Sequence, residues 1–217
     1  MAARKQKSPP NPRGRPRRSD EAAAEERARI LDAAQALFAR SGYEGVSMRA
    51  VADEAGCSPA ALYTLFPNKR ALLRNIWEDA FAALGEALEK SVRGSHEPVE
   101  RLKRLGRAFV RFWLDHPDHF RAIFLIEDRV SEPGDVYFVD SSESLVRLVR
   151  LFQDASAEAI AEGALKGPDA QETVQLIFCA LHGVASALIS IPEFGWKAPR
   201  RMAGRMTDAL LTGLAAR

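Results

Sequence analysis

The chain has 217 residues, of which 47% are hydrophobic and 28% are charged. These proportions are close to globular averages, so they exclude fibrous, disulfide-scaffold and wholly disordered proteins and leave room for one large domain or two small ones. No run of eighteen uninterrupted apolar residues occurs, the basic N-terminus precedes no apolar stretch, and Cys57 and Cys179 are too few for a disulfide framework. We therefore expect a soluble cytoplasmic protein without a membrane partner.

Charge is divided unevenly along the chain. Residues 1–20 contain seven basic residues and one acidic residue, and residues 21–75 contain seven of each. Residues 76–217 contain 17 basic and 21 acidic residues. A basic N-terminal end followed by an acidic body favours a polyanionic partner that binds at the N-terminal end.

The first twenty residues are predicted to be a disordered basic arm. Residues 1–19 contain four prolines and no apolar periodicity, so they cannot bury enough apolar surface to offset the entropy of ordering. The Gly-Arg-Pro sequence at 14–16 resembles the core of an AT-hook, and narrow minor grooves attract arginine. The alternative is a basic tail that only keeps the protein in solution. The candidate DNA contacts in the arm are Arg13, Arg15, Arg17 and Arg18.

Four helices are predicted between residue 21 and about residue 92. Apolar residues recur at three- and four-residue spacing in each of them, as on the buried face of a helix. Gly42 and Gly56 end the first two helices. Ser47, Ser58 and Asn68 stand where the second, third and fourth helices need N-caps.

The second half of the chain continues the helical pattern. Residues 131–142 are predicted to be a loop, and Val136 to Val139 is too short to count as a strand. We therefore predict an all-α protein of about nine helices. The five further helices contain residues 102–113, 120–124, 145–159, 174–188 and about 200–214.

The second and third helices are joined by a short turn at Gly56-Cys57. Such a glycine turn is typical of a helix-turn-helix, in which the second helix enters the DNA major groove and the first braces it against the backbone. Small side chains at Ala60 and Ala61 would let the start of the third helix approach base edges closely. The alternative is a three-helix corner of an ordinary bundle.

One ordered, ungapped set of residues runs through the segment from about 25 to 75. It comprises Ile30-Leu31-Asp32-Ala33-Ala34, Leu37-Phe38, Gly42-Tyr43, Ser47-Met48-Arg49, Val51-Ala52, Ala55-Gly56-Cys57-Ser58, Leu62-Tyr63, Phe66 and Lys69. This set resembles the N-terminal domain of the tetracycline-repressor (TetR) family. The resemblance implies a homodimeric transcription factor, usually a repressor, whose C-terminal domain binds a small effector that releases DNA.

The implied organisation has three parts: the arm over 1–20, a helix-turn-helix domain over 21–70, and a helical effector-binding and dimerisation domain over 71–217. Within the last part, His182-Gly183 is similar to the C-terminal pattern of a TetR subgroup named for Trp-His-Gly. Leu181 stands where that pattern has tryptophan.

The motif and the resemblance together give the DNA-binding candidates. Arg49 is expected at a phosphate or a guanine, and Tyr63 is expected to give its hydroxyl to a phosphate while its ring packs at the edge of the core. The family pattern implies a phosphate contact for Lys69. The alternatives are a solvated arginine, a core tyrosine and a free lysine. The full set is Ser47, Arg49, Ser58, Ala60, Ala61, Tyr63, Thr64 and Lys69.

Aromatic residues are frequent in the second half and suggest a pocket for an apolar or aromatic effector. No cluster of basic residues accompanies them, so we expect a hydrophobic ligand without multiple charges. The only route that we predict from this pocket to the DNA is the fourth helix. The alternative is that these residues are plain core. The candidates are Phe109, Phe112, Trp113, Phe124, Phe152 and Phe178, with His182 as a polar anchor.

The last two helices are predicted to pair with their copies across a two-fold axis and so form the homodimer. The residues expected at this interface are Leu181, Val184, Ala185, Leu188, Leu210 and Leu214.

No enzyme is predicted, because no phosphate-binding glycine loop, Gly-x-Ser-x-Gly or His-Glu-x-x-His motif is present. No cofactor is expected, and no metal site either, since His116 and His119 lack further clustered ligands in the sequence. The sequence thus predicts a regulator that binds a palindromic DNA operator and is released by a small hydrophobic effector. The competing class is a helical scaffold without specific DNA binding.

Overall fold

A computed structural model of the chain describes residues 20–125, 142–166 and 169–215. These residues form nine α-helices and confirm the all-α prediction, and within them the only extended pairing is an isolated bridge between Leu165 and Ala215. The predicted arm up to residue 19, the segment 136–139 and the predicted loop up to residue 141 lie outside the described residues. The helices are α1 (Asp20–Ser41), α2 (Met48–Glu54), α3 (Pro59–Leu65), α4 (Lys69–Val92), α5 (Pro98–Asp115), α6 (Pro117–Phe124), α7 (Glu143–Ala161), α8 (Ala170–Ser190) and α9 (Pro199–Leu214), with a 3₁₀ turn (Pro192–Phe194) before α9.

Side-chain caps and turn glycines set the boundaries of the first four helices, as predicted. Ser47 and Ser58 each accept a hydrogen bond from the backbone amide three residues later, at 3.2 and 3.1 Å. Asn68 caps α4 in the same way at 2.8 Å. Gly42 and Gly56 have φ angles of +70° and +64°, a left-handed conformation that favours glycine. The turn between α2 and α3 is therefore encoded locally.

The first helix has the extent that the sequence predicts, from about residue 21 to just before Gly42. It has 22 residues, and its alanine- and glutamate-rich first half is made of good helix formers. Its inner face packs against α2, α4 and α6. The core of this N-terminal unit consists of Ile30, Ala34, Phe38, Val51, Leu62 and Phe66.

Helix α4 belongs to both halves of the molecule. Its 24 residues span about 36 Å at 1.5 Å per residue, from Lys69 beside the helix-turn-helix to Val92. Along this length it packs against α1 and then against α5, α6 and α7. One continuous helix therefore connects the N-terminal unit with the C-terminal bundle.

The C-terminal bundle is centred on α5, which packs against α4, α7, α8 and α9. Helices α5 and α9 cross closely at Gly106, where an added Cβ atom would lie 2.6 Å from Thr207 Oγ1. Helix α8 has the length and mean hydropathy of a membrane span, which is weak evidence for one. Its buried face, which includes Ile177 and Leu181, packs against α5, α7 and α9, as expected of a core helix.

Candidate DNA interface and effector cavity

The outer face of the helix-turn-helix is formed by short exposed side chains. Ser58 and Ala60 at the start of α3 are exposed, as is Thr64 one turn later. Thr64 donates its hydroxyl hydrogen to the Ala60 carbonyl oxygen at 2.8 Å, which leaves its methyl group and oxygen lone pairs facing outward. Arg49 on α2 is also exposed and has no ion-pair partner among the described residues. These side chains are therefore accessible from outside the part of the protein that the structure describes.

The sequence predicts that the Tyr63 ring packs at the edge of the core. The structure does not confirm this prediction. Its side chain is 54% exposed, whereas the neighbouring Leu62 is fully buried. The reason is the helical rotation of about 100° per residue, which turns only one of two adjacent side chains inward. Part of the phenol ring of Tyr63, and not only its hydroxyl, is thus accessible at the outer face.

Lys69 has a different environment from the one predicted for a phosphate contact. Its ammonium group donates hydrogen bonds to the backbone oxygens of Tyr43 at 2.7 Å and Val46 at 3.1 Å. It also lies 4.1 Å from the centre of the Tyr43 ring. Two of its three donors are therefore used inside the protein, and Lys69 holds the turn between α1 and α2 against the start of α4.

A large apolar cavity lies between α4, α5, α6, α7 and α8. Its volume is about 790 Å³, and four predicted effector residues line it: Phe109, Phe124, Phe152 and Phe178. Three glutamines that the sequence analysis missed are also in its wall: Gln153, Gln171 and Gln175. Their spacing was the available signal, since Gln171, Gln175 and Phe178 share one face of α8. The further lining residues are Trp77, Phe81, Ile123, Leu145, Leu148, Val149, Val174, Ile177, Cys179 and Leu181.

The other three predicted effector residues are not in the cavity wall. Phe112 faces a separate groove on the far side of α5. Trp113 is fully buried and packs edge-on against Phe109 and Phe124. His182 lies behind the wall, where its ring contacts Phe124 at 4.6 Å and Phe178 at 5.3 Å between centroids. They were misassigned because aromatic content does not reveal which side of a helix faces a cavity.

Two buried polar atoms in this aromatic layer have no hydrogen-bond partner among the described residues. They are Trp113 Nε1 and His182 Nδ1. Burial lowers the pKa of His182 and favours its neutral form. The layer behind the cavity is therefore apolar and uncharged.

The predicted dimer residues are mostly inside the protomer. Leu181, Val184, Ala185 and Leu188 on α8 are buried against the rest of the chain, with Leu181 also in the cavity wall. A side chain that the protomer already buries cannot also form the surface of an interface. The sequence pattern does not distinguish the two sides, because α8 is apolar on both faces. On α9, Leu210 and Leu214 are partly buried.

The exposed faces of the last two helices carry a different set of small and apolar residues. These residues recur at intervals of three, four or seven residues along each helix, and together we call them the α8–α9 outer stripe. The stripe consists of Leu176, Cys179, Gly183 and Ser190 on α8 and Met206, Ala209 and Gly213 on α9.

Helix α6 forms a second connection between the cavity and the N-terminal unit, besides the predicted route through α4. The Gln35 amide of α1 donates to His119 Nδ1 at 2.9 Å. Trp77 of α4 donates its indole N–H to the Ala122 carbonyl oxygen at 3.1 Å. Since Phe124 of the same helix lines the cavity, α6 touches the cavity wall, α1 and α4 at once.

The pKa of His119 is lowered, first by burial and then by the charge on His116. The carboxylates of Asp32, Asp118 and Asp79 act in the opposite direction. The described residues contain no group of three or more potential metal ligands. The histidine pair is therefore explained by packing and hydrogen bonding.

Profiles of known families match both halves of the chain. The profile of the tetR family of bacterial regulatory proteins matches residues 30–76. The profile of the tetracyclin repressor-like C-terminal domain matches residues 102–214, which is more than half of the chain.

Individual relatives agree with these matches. The transcriptional repressor KstR of Mycobacterium tuberculosis is 39% identical over 95 residues, which are 42% of this chain and 43% of KstR. The chain thus spans less than half the length of this relative. The TetR-family regulator PfmR of Thermus thermophilus superposes with a TM-score of 0.67 at 26% identity, over 87% of this chain and 96% of PfmR.

A third similar protein shares the fold alone. The regulator FadR of Bacillus subtilis, solved in complex with stearoyl-CoA, has a TM-score of 0.74 at 17% identity, over 86% of this chain and 98% of FadR. The helix-turn-helix, the cavity-bearing bundle and the two profile matches lead to one conclusion. The chain belongs to the tetR family of bacterial regulatory proteins.

Proposed function

We propose that this protein is a homodimeric transcriptional repressor that binds a palindromic operator and is released from it by a small hydrophobic effector. The observation that carries the proposal is the apolar cavity of about 790 Å³, whose walls include the two helices that reach the N-terminal unit. The relatives support it, since KstR is a repressor and FadR was solved with a ligand that carries a long apolar chain.

The DNA-binding surface is proposed to be the exposed face of α2 and α3. Ser58, Ala60 and Thr64 are short enough for the start of α3 to approach base edges in the major groove. Arg49 and Tyr63 extend from the same face toward phosphates. The basic arm, with Arg13, Arg15, Arg17 and Arg18, adds contacts in the minor groove or a general attraction to DNA. Lys69 acts indirectly, because it fixes the turn that positions α2.

The effector is proposed to be apolar over most of its surface and uncharged inside the cavity. None of the described residues that line it carries a formal charge at neutral pH, and burying an unpaired charge there would be costly. The amides of Gln153, Gln171 and Gln175 offer both donors and acceptors. They suit a neutral polar group, such as a hydroxyl or a carbonyl, at one end of the ligand.

The dimer is proposed to form through the α8–α9 outer stripe rather than through the residues first predicted. Small residues such as Cys179, Gly183 and Gly213 allow two helices to approach closely, and the exposed Met206 adds apolar area. An isologous contact of both helices with their copies would give a four-helix interface. Two recognition helices in such a dimer meet half-sites about one helical turn apart, roughly 34–36 Å, or a multiple of it.

The test measures operator release by fluorescence anisotropy on labelled DNA from the region upstream of the protein's own gene. A panel of straight-chain and polycyclic apolar compounds is titrated into the complex. We expect at least one compound to release the wild type. Val149→Trp should bind DNA normally but lose the response, because the indole fills the cavity that Val149 lines.

The matched control is Val146→Trp, on the same helix but 49% exposed and outside the cavity wall. It should respond like the wild type. If no compound releases the wild type, or if both tryptophan variants respond equally, the cavity is not an effector site. If the protein fails to bind the DNA at all, the competing class of a helical scaffold is favoured.

A further inference from the structure

A second concave site lies on the other side of α5 from the effector cavity. It is a groove of about 790 Å³ with α5 as its floor and α4 and α9 as its walls. Five basic side chains line it: Lys90, Arg104, Arg107, Arg111 and Arg200. The groove belongs to the part of the chain in which acidic residues outnumber basic ones, so its composition is opposite to that of its surroundings.

The positive charge of the groove is only partly neutralised. Arg104 and Arg107 share one carboxylate oxygen of Glu100, at 3.2 and 3.0 Å. Arg200 pairs with Asp115 at 3.5 Å. Within the described part of the chain, Lys90 and Arg111 have no ion-pair partner. Five cations against two carboxylates leave an excess of three positive charges, and their mutual repulsion is unfavourable unless an anion is bound.

The arrangement of the arginines indicates the shape of that anion. Arg104, Arg107 and Arg111 lie on one face of α5, and a rise of 1.5 Å per residue separates the first from the last by about 10 Å. A ligand that satisfies them needs negative charge at several points along this length, which one carboxylate cannot supply. Guanidinium groups match phosphate oxygens well, since they donate two parallel hydrogen bonds.

We propose that this groove binds a small anion with several linked phosphate groups. The proposal goes beyond the DNA and effector function above, because the two sites have opposite character. The effector cavity is apolar and uncharged, whereas the groove is basic and open to solvent. One helix separates them, with Phe109 on the cavity side and Arg111 on the groove side.

The experiment is isothermal titration calorimetry of the full chain with tripolyphosphate, in the absence of DNA and at about physiological ionic strength. We expect saturable binding of one tripolyphosphate per chain, and weaker binding of orthophosphate. The double variant Lys90→Ala/Arg111→Ala should weaken tripolyphosphate binding at least about tenfold, because hydrogen bonds to charged groups are the strong ones. Neither residue has an ion-pair partner among the described residues to leave unpaired, so the circular dichroism spectrum and unfolding midpoint should not change.

Two controls separate the groove from other basic surfaces. Arg150→Ala removes an exposed arginine on α7 that lines neither the groove nor the cavity. Arg15→Ala/Arg17→Ala tests the N-terminal arm, the other basic segment of the chain. Both controls should bind tripolyphosphate like the wild type. Absence of saturable binding, an unchanged affinity of the groove variant, or an equal loss in the arm variant would each overturn the proposal.

Discussion

Arg49 and Lys69 are both basic residues near the proposed DNA surface, but their surroundings give them different roles. Arg49 is exposed and its guanidinium makes no ion pair with any described residue. Lys69 donates to two backbone oxygens in the turn after α1. At the scale of the residue, Arg49 is therefore expected to contact DNA directly, whereas Lys69 stabilises the turn between α1 and α2.

This difference predicts that substitutions of the two residues have different effects on DNA binding and on stability. Arg49→Ala should weaken binding and reduce the salt slope by about one per lost contact per subunit, while leaving stability unchanged. Lys69→Met should lower the free energy of unfolding by about 1–3 kcal/mol, because it removes two charged hydrogen bonds to partly buried backbone oxygens, and should keep the salt slope. Urea unfolding and anisotropy titrations over a range of salt concentrations measure both effects. A reduced salt slope in Lys69→Met would instead indicate that Lys69 contacts a phosphate, as first predicted.

His119 makes stability depend on pH. Burial and the charge on His116 lower its pKa from 6.5, so the native state binds fewer protons than the unfolded state between the lowered value and about pH 6.5. Stability should therefore be highest above pH 6.5 and decrease as the pH falls through this window. His119→Gln should show a smaller decrease in unfolding free energy between neutral and mildly acidic pH. His96→Gln, at an exposed histidine, is the control, and identical pH profiles for wild type and His119→Gln would contradict the argument.

At the scale of the element, the crossing of α5 and α9 depends on one glycine. An added Cβ atom at Gly106 would lie 2.6 Å from Thr207 Oγ1 and 3.4 Å from Leu181 Cδ2. Thr207 is buried, β-branched and hydrogen-bonded to the Ala203 carbonyl oxygen, so it has little freedom to move. The contact between these two helices therefore requires the smallest residue.

Gly106→Ala should lower the free energy of unfolding by about 1–3 kcal/mol, as overpacked cores do. Gly85→Ala is the matched control, since Gly85 is also buried within a helix but has open space around its missing Cβ. That change should stabilise the protein by about 0.5–1 kcal/mol through helix propensity. Chemical denaturation of both variants checks the pair, and equal effects of the two changes would show that steric contact at Gly106 is unimportant.

At the scale of the whole molecule, the effector cavity and the proposed dimer interface share helix α8. The buried Ile177 and the exposed Phe178 both line the cavity, and Cys179 belongs both to the cavity wall and to the α8–α9 outer stripe. Helices α4 and α6 then connect the cavity with the N-terminal unit. A ligand that changes the packing of these two helices would alter the distance between the recognition helices, provided that it binds the two arrangements with different affinity.

If the proposed dimer is correct, a charge at Met206 should prevent dimerisation. Met206→Glu places a charge in the outer stripe and should give folded monomers, because the residue is 41% exposed in the protomer and the charge would be buried only in the dimer. Val146→Glu, a similar change at an exposed residue of α7, should remain dimeric. Sedimentation velocity distinguishes the species. If Met206→Glu stays dimeric while Leu188→Glu gives folded monomers, the interface first predicted is the correct one.

Local signals in the sequence determined the helices, their ends and the family. The caps at Ser47, Ser58 and Asn68 and the turn at Gly56 depend on neighbours within a few residues, so a linear pattern contains the information. The resemblance of residues 25–75 was similarly local. Four of the seven predicted effector residues line the cavity, since apolar periodicity identified the positions of these aromatic residues on their helices.

Only the tertiary structure decided which side of each helix faces which neighbour. Helix α8 is apolar on both faces, so periodicity could not separate the buried Leu188 from the exposed Gly183. The backbone acceptors of Lys69 lie 23 and 26 residues away in the sequence. Gln35 and its hydrogen-bond partner His119 are separated by 84 residues. The basic groove joins residues of α4, α5 and α9 that are far apart in the chain. Contacts of this range arise from the relative placement of packed helices, which no local pattern specifies.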